Sequence, residues 1–280
     1  MFKRIFIALL IGTTLFISSF FLANYFFSQK NSISVQTPVV SSTPIATTSP
    51  TVVTKPSLPT KKEEVSNVVT TTPSVATTTT QTEQKVLLQV PFSPQAPFGD
   101  WADPRQEDGC EEASVVMAWR WVNGRGLTRQ EALEEIVAMS EWEKEQYGNS
   151  RDTSAADTFK RLLKEYYGYT RGRVEYDITI DDVKAELAKG NILIIPFDGQ
   201  ILANPNFKAP GPERHMLVVK GYDDLKQQFI TNDPGTRLGE GFVYPYSNFA
   251  ASFRDYETGN HAPIEGRESA MIVIEPMPSF

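Results

Sequence analysis

The chain contains one cysteine, Cys110, in a setting where a thiol could serve as a nucleophile. Cys110 follows Gly109 and opens a segment whose apolar residues recur at helical spacing, which places the thiol in the first turn of a helix. The free N–H groups of a helix N-terminus favour an anion, here a thiolate, whereas the adjacent Glu111 and Glu112 raise the pKa of the thiol. With a single cysteine no intramolecular disulfide can form, so this thiol is either buried and inert or kept for its reactivity.

A thiol nucleophile needs a base, and the sequence offers two histidines. His215 opens a mostly apolar strand, a position from which its ring can point into a cleft while the strand holds its backbone. His261 lies among turn-forming residues and is expected to be exposed. These settings favour His215 as the base.

A third residue should hold the imidazole in its working tautomer by accepting the Nδ1–H hydrogen bond. Asp233 follows His215 by 18 residues, at the end of the next strand, and a hairpin would bring the two side by side. Asn232 is the alternative, because an amide oxygen can also accept this bond. Asn and Asp also favour turns without any catalytic role.

The elements that position these residues are helices followed by strands, which predicts an α+β domain. Capping boxes at Thr128/Glu131 and Thr179/Asp182 mark two helix starts. The predicted helices cover 110–122, 128–139, 154–167 and 179–190. The predicted strands are Val86–Phe92, Ile192–Phe197, His215–Tyr222, Gln228–Thr231, Gly241–Tyr244 and Ala270–Ile274. The loop 199–212, just before His215, is expected to face the substrate.

Four motifs in this order resemble the peptidase C39-like group of papain-like cysteine peptidases. They are Val90–Pro97 together with Trp101, Gly109–Ser114, Arg214-His215 and Asn232–Gly235. The resemblance covers about residues 86–275. It implies a papain-like fold, in which a Cys-bearing helix packs on an antiparallel sheet that carries His and Asp.

The resemblance also implies an oxyanion-hole glutamine, which corresponds to Gln95. Gln95 lies 15 residues before Cys110, a longer gap than the papain pattern has, so Gln106 remains an alternative. The implied chemistry is acyl transfer through a thioester, with the glutamine amide and the Cys110 N–H stabilising the oxyanion. It needs no cofactor, and one cysteine and two histidines give no zinc-ligand spacing.

The N-terminal third predicts a membrane tether. Lys3 and Arg4 precede an uncharged run of 23 residues, 5–27, which is long enough to span a bilayer as a helix. Residues 1–27 are therefore interpreted as an uncleaved anchor whose basic end stays in the cytoplasm. Residues 28–84, of which 30 are Thr, Ser or Pro, are interpreted as a disordered stalk. Residues 85–280 then form one extracytoplasmic domain.

The charge of that domain argues against nucleic acid as a partner. The whole chain has a formal net charge of −7 and residues 1–84 have a net charge of +3, so the net charge of residues 85–280 is −10. A phosphate-binding face needs clustered Lys and Arg. The expected substrate is a peptide, a protein or a cell-wall peptide, and an amidase with the same triad is the first alternative. The second is a binding module whose groove is lined by Trp101, Phe98, Tyr244 and Tyr246, and the third is a thiol sensor at Cys110.

Overall fold

The computed structural model describes residues 85–259, 261–264, 266 and 268–278. The predicted anchor, 1–27, and the predicted stalk, 28–84, lie outside these residues. Among the described residues, none of the helices combines the length and the apolar character that a membrane span needs.

Helix starts follow the signals in the sequence. At Thr128/Glu131 and at Thr179/Asp182, each side chain accepts a hydrogen bond from the backbone N–H of the other residue, so both capping boxes are confirmed. The described helices are α1 (Pro104–Glu107), α2 (Cys110–Val122), α3 (Arg129–Tyr147), α4 (Ala155–Asp157), a π-helix (Thr158–Tyr166), α5 (Ile180–Ala188), α6 (Gly199–Leu202) and α7 (Tyr246–Ser252).

Two helices differ from their predictions. Helix α3 continues beyond Met139 to Tyr147, where Gly148 ends it in the left-handed conformation with φ of 77°, because only that glycine interrupts the helical stretch. The segment predicted as one helix over 154–167 makes a single α-turn and then widens into the π-helix. Apolar spacing does not distinguish these two kinds of turn.

The strands build one antiparallel sheet. They are β1 (Lys85–Leu87), β2 (Gly172–Tyr176), β3 (Ile192–Phe197), β4 (His215–Asp223), β5 (Gln228–Asn232), β6 (Glu240–Pro245) and β7 (Ala270–Ile274). Their order is β2-β7-β3-β4-β5-β6, and β1 pairs with the end of β4. The α+β prediction is confirmed, whereas the strand predicted over Val86–Phe92 is reduced to the three residues of β1 and β2 was not predicted.

Strand β4 lies at the centre of the packing and is buried along its whole length. Its side chains alternate between two apolar cores, as a strand covered on both faces requires. Met216 and Val218 pack in the core that contains α2 and α3, and Leu217 and Val219 pack in the core that contains α5 and α7. Because His215 is the first residue of this strand, its backbone is held by a strand that is buried along its whole length.

Candidate active site

Cys110 is the first residue of α2, as predicted, and α2 packs directly on the start of β4. Ser114, one turn further along, donates a hydrogen bond from Oγ to the Met216 carbonyl oxygen, 3.3 Å away. A Cβ on the preceding residue, Gly109, would come within 2.6 Å of the Arg105 carbonyl oxygen. Only glycine therefore lets the chain turn from α1 into α2 at this close distance, and that turn places Cys110 beside the first residues of β4.

His215, the first residue of β4, and Asp233, which directly follows β5, form a buried pair. Nε2 of His215 lies 2.8 Å from Oδ1 of Asp233, and the side chains are only 2% and 0% exposed. The hairpin of β4 and β5 brings them together, because Val218 pairs with Asn232, the residue that precedes Asp233. The two residues predicted as base and orienting acid are thus in contact.

The ring nitrogen in this contact differs from the predicted one. We expected Nδ1–H to donate to the acid, but Nε2 makes the bond. With the proton on Nε2, the neutral imidazole keeps Nδ1 as its acceptor. The side-chain conformation of His215 decides which nitrogen meets the acid, and the residue types alone do not contain that information.

The carboxylate of Asp233 is fully satisfied by donors. Oδ1 also accepts from the Gly235 N–H at 2.9 Å, and Oδ2 accepts from Asn204 Nδ2 at 3.0 Å and from the Tyr244 hydroxyl. Burial alone would raise the pKa of Asp233. The charge of His215 and these hydrogen bonds outweigh it and hold the pKa below its ordinary value. Asp233 therefore remains an anion beside the imidazole.

Asn232, the alternative third residue, points elsewhere. Its Nδ2 donates to the carbonyl oxygens of Val90 and Pro91, at 3.0 and 3.1 Å, and its Oδ1 accepts from the Gly241 N–H. These bonds tie the segment after β1 to the end of β5. Asn232 thus braces the scaffold, and Asp233 is the residue that contacts His215.

The two candidate oxyanion glutamines are also distinguished by position. Both are buried, but Gln95 lines the cleft that Cys110 also lines, whereas the Gln106 amide donates to Asp103. The Gln95 amide nitrogen donates to the carbonyl oxygens of Gln106 and Glu107, at 3.0 and 2.6 Å. An amide carries two hydrogens, so both are engaged here, and an oxyanion role for Gln95 requires one of these bonds to be exchanged.

The thiol of Cys110 is protonated in this arrangement. Its Sγ lies 3.1 Å from Oε2 of Glu111 and donates to that carboxylate. Burial, and then the charge of Glu111, raise the pKa of the thiol well above its ordinary value, and a backbone hydrogen bond from Met216 offsets this only in part. Burial, the largest cause, thus adds to the effect that the sequence led us to expect from the acidic neighbours.

Cys110 and His215 open into the same cleft, which has a volume of about 1160 Å³. One wall comes from the segment 206–215, so much of the predicted substrate-facing loop does line the cleft. Trp101 and His261 also line the cleft. His261 is half exposed, as expected, and its Nδ1 pairs with Asp152 at 3.0 Å. Of the four aromatic residues considered for a binding groove, Trp101 is the one that lines the cleft, while Tyr244 supports Asp233.

Sequence reasoning missed several residues that complete the site. Asn204 and Tyr244 support Asp233, and the Phe207 ring packs edge-on against His215 with 5.1 Å between centroids. A Cβ at Gly235 would lie 2.9 Å from His215 Cε1. The turn signal around Gly235 was visible in the sequence, but nothing in the spacing of Asn204 or Phe207 indicates these contacts.

Comparison with known proteins identifies a family. A sequence model described as the Peptidase C39-like family matches residues 87–261. A solved structure of a C39-like peptidase from Bacillus anthracis is 15% identical, with 69% of this chain and 98% of that chain covered and a TM-score of 0.43. Xylellain, a cysteine protease from Xylella fastidiosa, is 17% identical, with 69% and 86% covered and a TM-score of 0.40. No curated protein matches the chain.

Proposed function

The chain belongs to the Peptidase C39-like family and is a hydrolase of the cysteine peptidase type. We propose that it cleaves peptide or amide bonds with Cys110, His215 and Asp233. The observation that carries the proposal is the buried bond between His215 Nε2 and Asp233 Oδ1, 2.8 Å long, in the cleft that Cys110 also lines. This bond fixes the imidazole and leaves its other nitrogen as a proton acceptor.

In the proposed reaction, Nδ1 of His215 takes the thiol proton and the Cys110 sulfur attacks the substrate carbonyl carbon. The tetrahedral intermediate collapses as the imidazolium returns the proton to the leaving amine, which departs and leaves a thioester. Water then attacks the thioester with His215 again as base, and the acid product and the thiol are released. Asp233 stays ionised throughout and stabilises the imidazolium.

The oxyanion of the intermediate needs donors in the same cleft. The backbone N–H of Cys110, at the start of α2, is one, and the Gln95 amide is the second once it exchanges a backbone carbonyl for the oxyanion. The backbone N–H of Gln95 donates to the Pro234 carbonyl oxygen at 2.9 Å. This bond anchors the glutamine to the turn that also carries Asp233, so movement of the side chain alone suffices.

The setting we propose is the outer face of a membrane. Residues 1–27 serve as a single-pass anchor, residues 28–84 as the stalk and residues 85–280 as the catalytic domain. Support comes from the uncharged run at residues 5–27 with its two preceding cations and from the Thr/Ser/Pro composition that follows it. Labelling intact cells with a membrane-impermeant reagent directed at the domain tests this topology, and labelling that needs cell lysis would contradict it.

Turnover by the full-length chain in detergent micelles tests the chemistry. The substrates are a fluorescently labelled denatured protein and purified peptidoglycan. Cys110→Ala and His215→Ala are expected to lower hydrolysis at least about 10³-fold, because each removes a member of the triad. His261→Ala, a change of the other histidine of the chain, is the matched control and should keep activity within about tenfold.

The outcomes separate the candidate functions. Hydrolysis that survives Cys110→Ala contradicts the proposal. Cleavage of peptidoglycan but not of protein, still dependent on both residues, indicates the amidase. If no substrate is turned over and Cys110 reacts with iodoacetamide equally in wild type and His215→Ala, the domain is a binding module on the same fold.

A further inference from the structure

Glu111 is a buried carboxylate in direct contact with the thiol, and the proposed reaction does not use it. Its side chain is only 3% exposed. Oε2 accepts from Cys110 Sγ at 3.1 Å, and Oε1 accepts from the Tyr256 hydroxyl at 2.7 Å and the Thr153 N–H at 3.3 Å. Both oxygens are therefore held in place, and the carboxylate is fixed toward the sulfur.

The groups that face Glu111 come from four parts of the fold. They are Cys110 and Glu112 on α2, Glu143 on α3, Asp152 in the loop after α3, and Tyr256 in the segment after α7. All of these are acids or neutral donors. Burial raises the pKa of Glu111, and the hydrogen bonds from Cys110 and Tyr256 offset this only in part. When Glu111 is ionised, a thiolate formed while Cys110 points at it would lie next to a second negative charge in a buried environment, where the Coulomb repulsion is strong.

A thiol carries one proton and therefore donates one hydrogen bond at a time. While that bond goes to Glu111, it does not go to His215. The imidazole is meanwhile oriented by Asp233 through Nε2, and in its neutral form with the proton on that nitrogen, Nδ1 is left as an acceptor. The site thus offers the sulfur two acceptors, one on the helix side of the cleft and one on the sheet side.

We propose that Glu111 is a second hydrogen-bond acceptor for the Cys110 thiol, competing with His215, and that the free enzyme stores its nucleophile as a thiol bonded to this carboxylate. The inference rests on the proposed function, because it assumes that Cys110 is the nucleophile. Activation is a rotation of the cysteine side chain from Glu111 toward His215. The proton stays on sulfur during the rotation and passes to Nδ1 afterwards, while Tyr256 and Thr153 remain bonded to the Glu111 carboxylate.

This arrangement protects the thiol when no substrate is present. Oxidation and alkylation proceed through the thiolate, so a cysteine kept protonated resists both. The protection matters most for a thiol held outside the cytoplasm, where no reducing pool surrounds it. The Cys110 thiol then has one partner at rest, Glu111, and another during catalysis, His215. Glu111 opposes formation of the thiolate, whereas Asp233 favours it by stabilising the imidazolium of His215.

The rate of iodoacetamide alkylation as a function of pH tests the proposal, because Cys110 is the single cysteine of the chain. For the full-length wild type in detergent micelles, we expect a midpoint above the free-thiol value of about 8.5. Glu111→Gln removes the charge and keeps the size, and should lower the midpoint by at least about one pH unit. Alkylation at pH 7 then becomes about tenfold faster.

Glu112→Gln is the matched control. Glu112 is the next residue of α2, is equally buried and has a carboxyl oxygen with no hydrogen-bond partner in the described residues. Its change should move the midpoint less than half as far. A Glu111→Gln profile that coincides with wild type, or an equal shift in both variants, overturns the proposal. A wild-type midpoint below about 8.5 overturns it as well, whether or not the variants fold.

A double variant separates this inference from the triad itself. If His215 is the working base, the faster alkylation of Glu111→Gln should fall when His215→Ala is added. If the gain remains undiminished in the double variant, Glu111 suppresses the thiolate as we propose, and the role of His215 as base is contradicted instead.

Discussion

The two sides of the cleft satisfy their polar groups in different ways. On the sheet side, Asp233 is completely buried and its oxygens accept from His215, Gly235, Asn204 and Tyr244. On the helix side, carboxylates gather around α2. Both oxygens of Glu143 and one of Glu112 lack hydrogen-bond partners in the part of the chain that the structure describes.

This difference separates fixed geometry from adjustable charge. A carboxylate that accepts four hydrogen bonds has one orientation and stays ionised, which is what an orienting residue requires. Buried carboxylates next to one another cannot all ionise at little cost, so the helix side is sensitive to pH. The base is held ready on the sheet side, and the nucleophile is held back on the helix side.

The largest expected effect comes from replacing, one at a time, the two neighbouring residues at the end of β5. Asp233→Ala should lower kcat/KM by about 10²–10⁴-fold, because the imidazole loses its orienting anion. Asn232→Ala should instead lower the free energy of unfolding by about 1–3 kcal/mol, since it leaves the Gly241 N–H and two carbonyl oxygens without their partner. Measuring both quantities for both variants at low temperature checks the distinction. A loss of turnover in folded Asn232→Ala that matches Asp233→Ala would contradict it.

The sequence was sufficient for the elements whose signals are local. Helix α2 and strands β3 and β7 have the predicted bounds, because apolar residues at helical spacing define the helix and continuous apolar runs define the two strands. Strand β2 was missed because its residues are only half buried and carry alternating charges without a strong apolar face. Short helices such as α7, with seven residues, give too few turns for periodicity to show.

The chemistry of the site was predictable as a set of residue types and not as a set of contacts. Cys110, His215 and Asp233 stand out by position along the chain, and the structure brings His215 and Asp233 into contact and opens Cys110 and His215 into one cleft. The partner of the thiol was not predictable. Whether Glu111 points toward Cys110 or toward solvent depends on Tyr256, which lies 145 residues away in the chain, and no local pattern reports such a contact.

The second prediction concerns stability on the helix side. Burial raises the pKa of Glu143 to about 8 from an ordinary 4.5, and Arg161, 3.7 Å away, offsets this only in part. Between these two values the folded chain binds more protons than the unfolded chain, so its stability falls as the pH rises. From pH 6 to pH 8 the expected loss is about 2 kcal/mol, and Glu143→Gln should remove it.

Urea denaturation of the wild type and the variant at both pH values measures this loss. Glu145→Gln changes an exposed carboxylate on the same helix and serves as the matched control, expected to keep the wild-type dependence. If the wild type is equally stable at pH 6 and pH 8, or if Glu143→Gln loses as much as the wild type does, the helix side does not carry the pH sensitivity that separates it from the sheet side.

The smallest expected effect tests how tightly the sheet side is packed around the base. A Cβ at Gly235 would lie 2.8 Å from a ring carbon of Phe207 and 2.9 Å from His215 Cε1. Gly235→Ala should therefore shift the imidazole by a few tenths of an ångström and lower kcat by about tenfold, with KM nearly unchanged, because positioning and not binding is lost. Gly126→Ala, where a Cβ meets nothing within 4 Å, is the control and should leave turnover as it is.

Wild-type kcat in Gly235→Ala would mean that Phe207 and the loop that carries it move to make room for the added Cβ. The sheet side would then be as adjustable as the helix side, and its full set of hydrogen bonds would not be what holds the base in place.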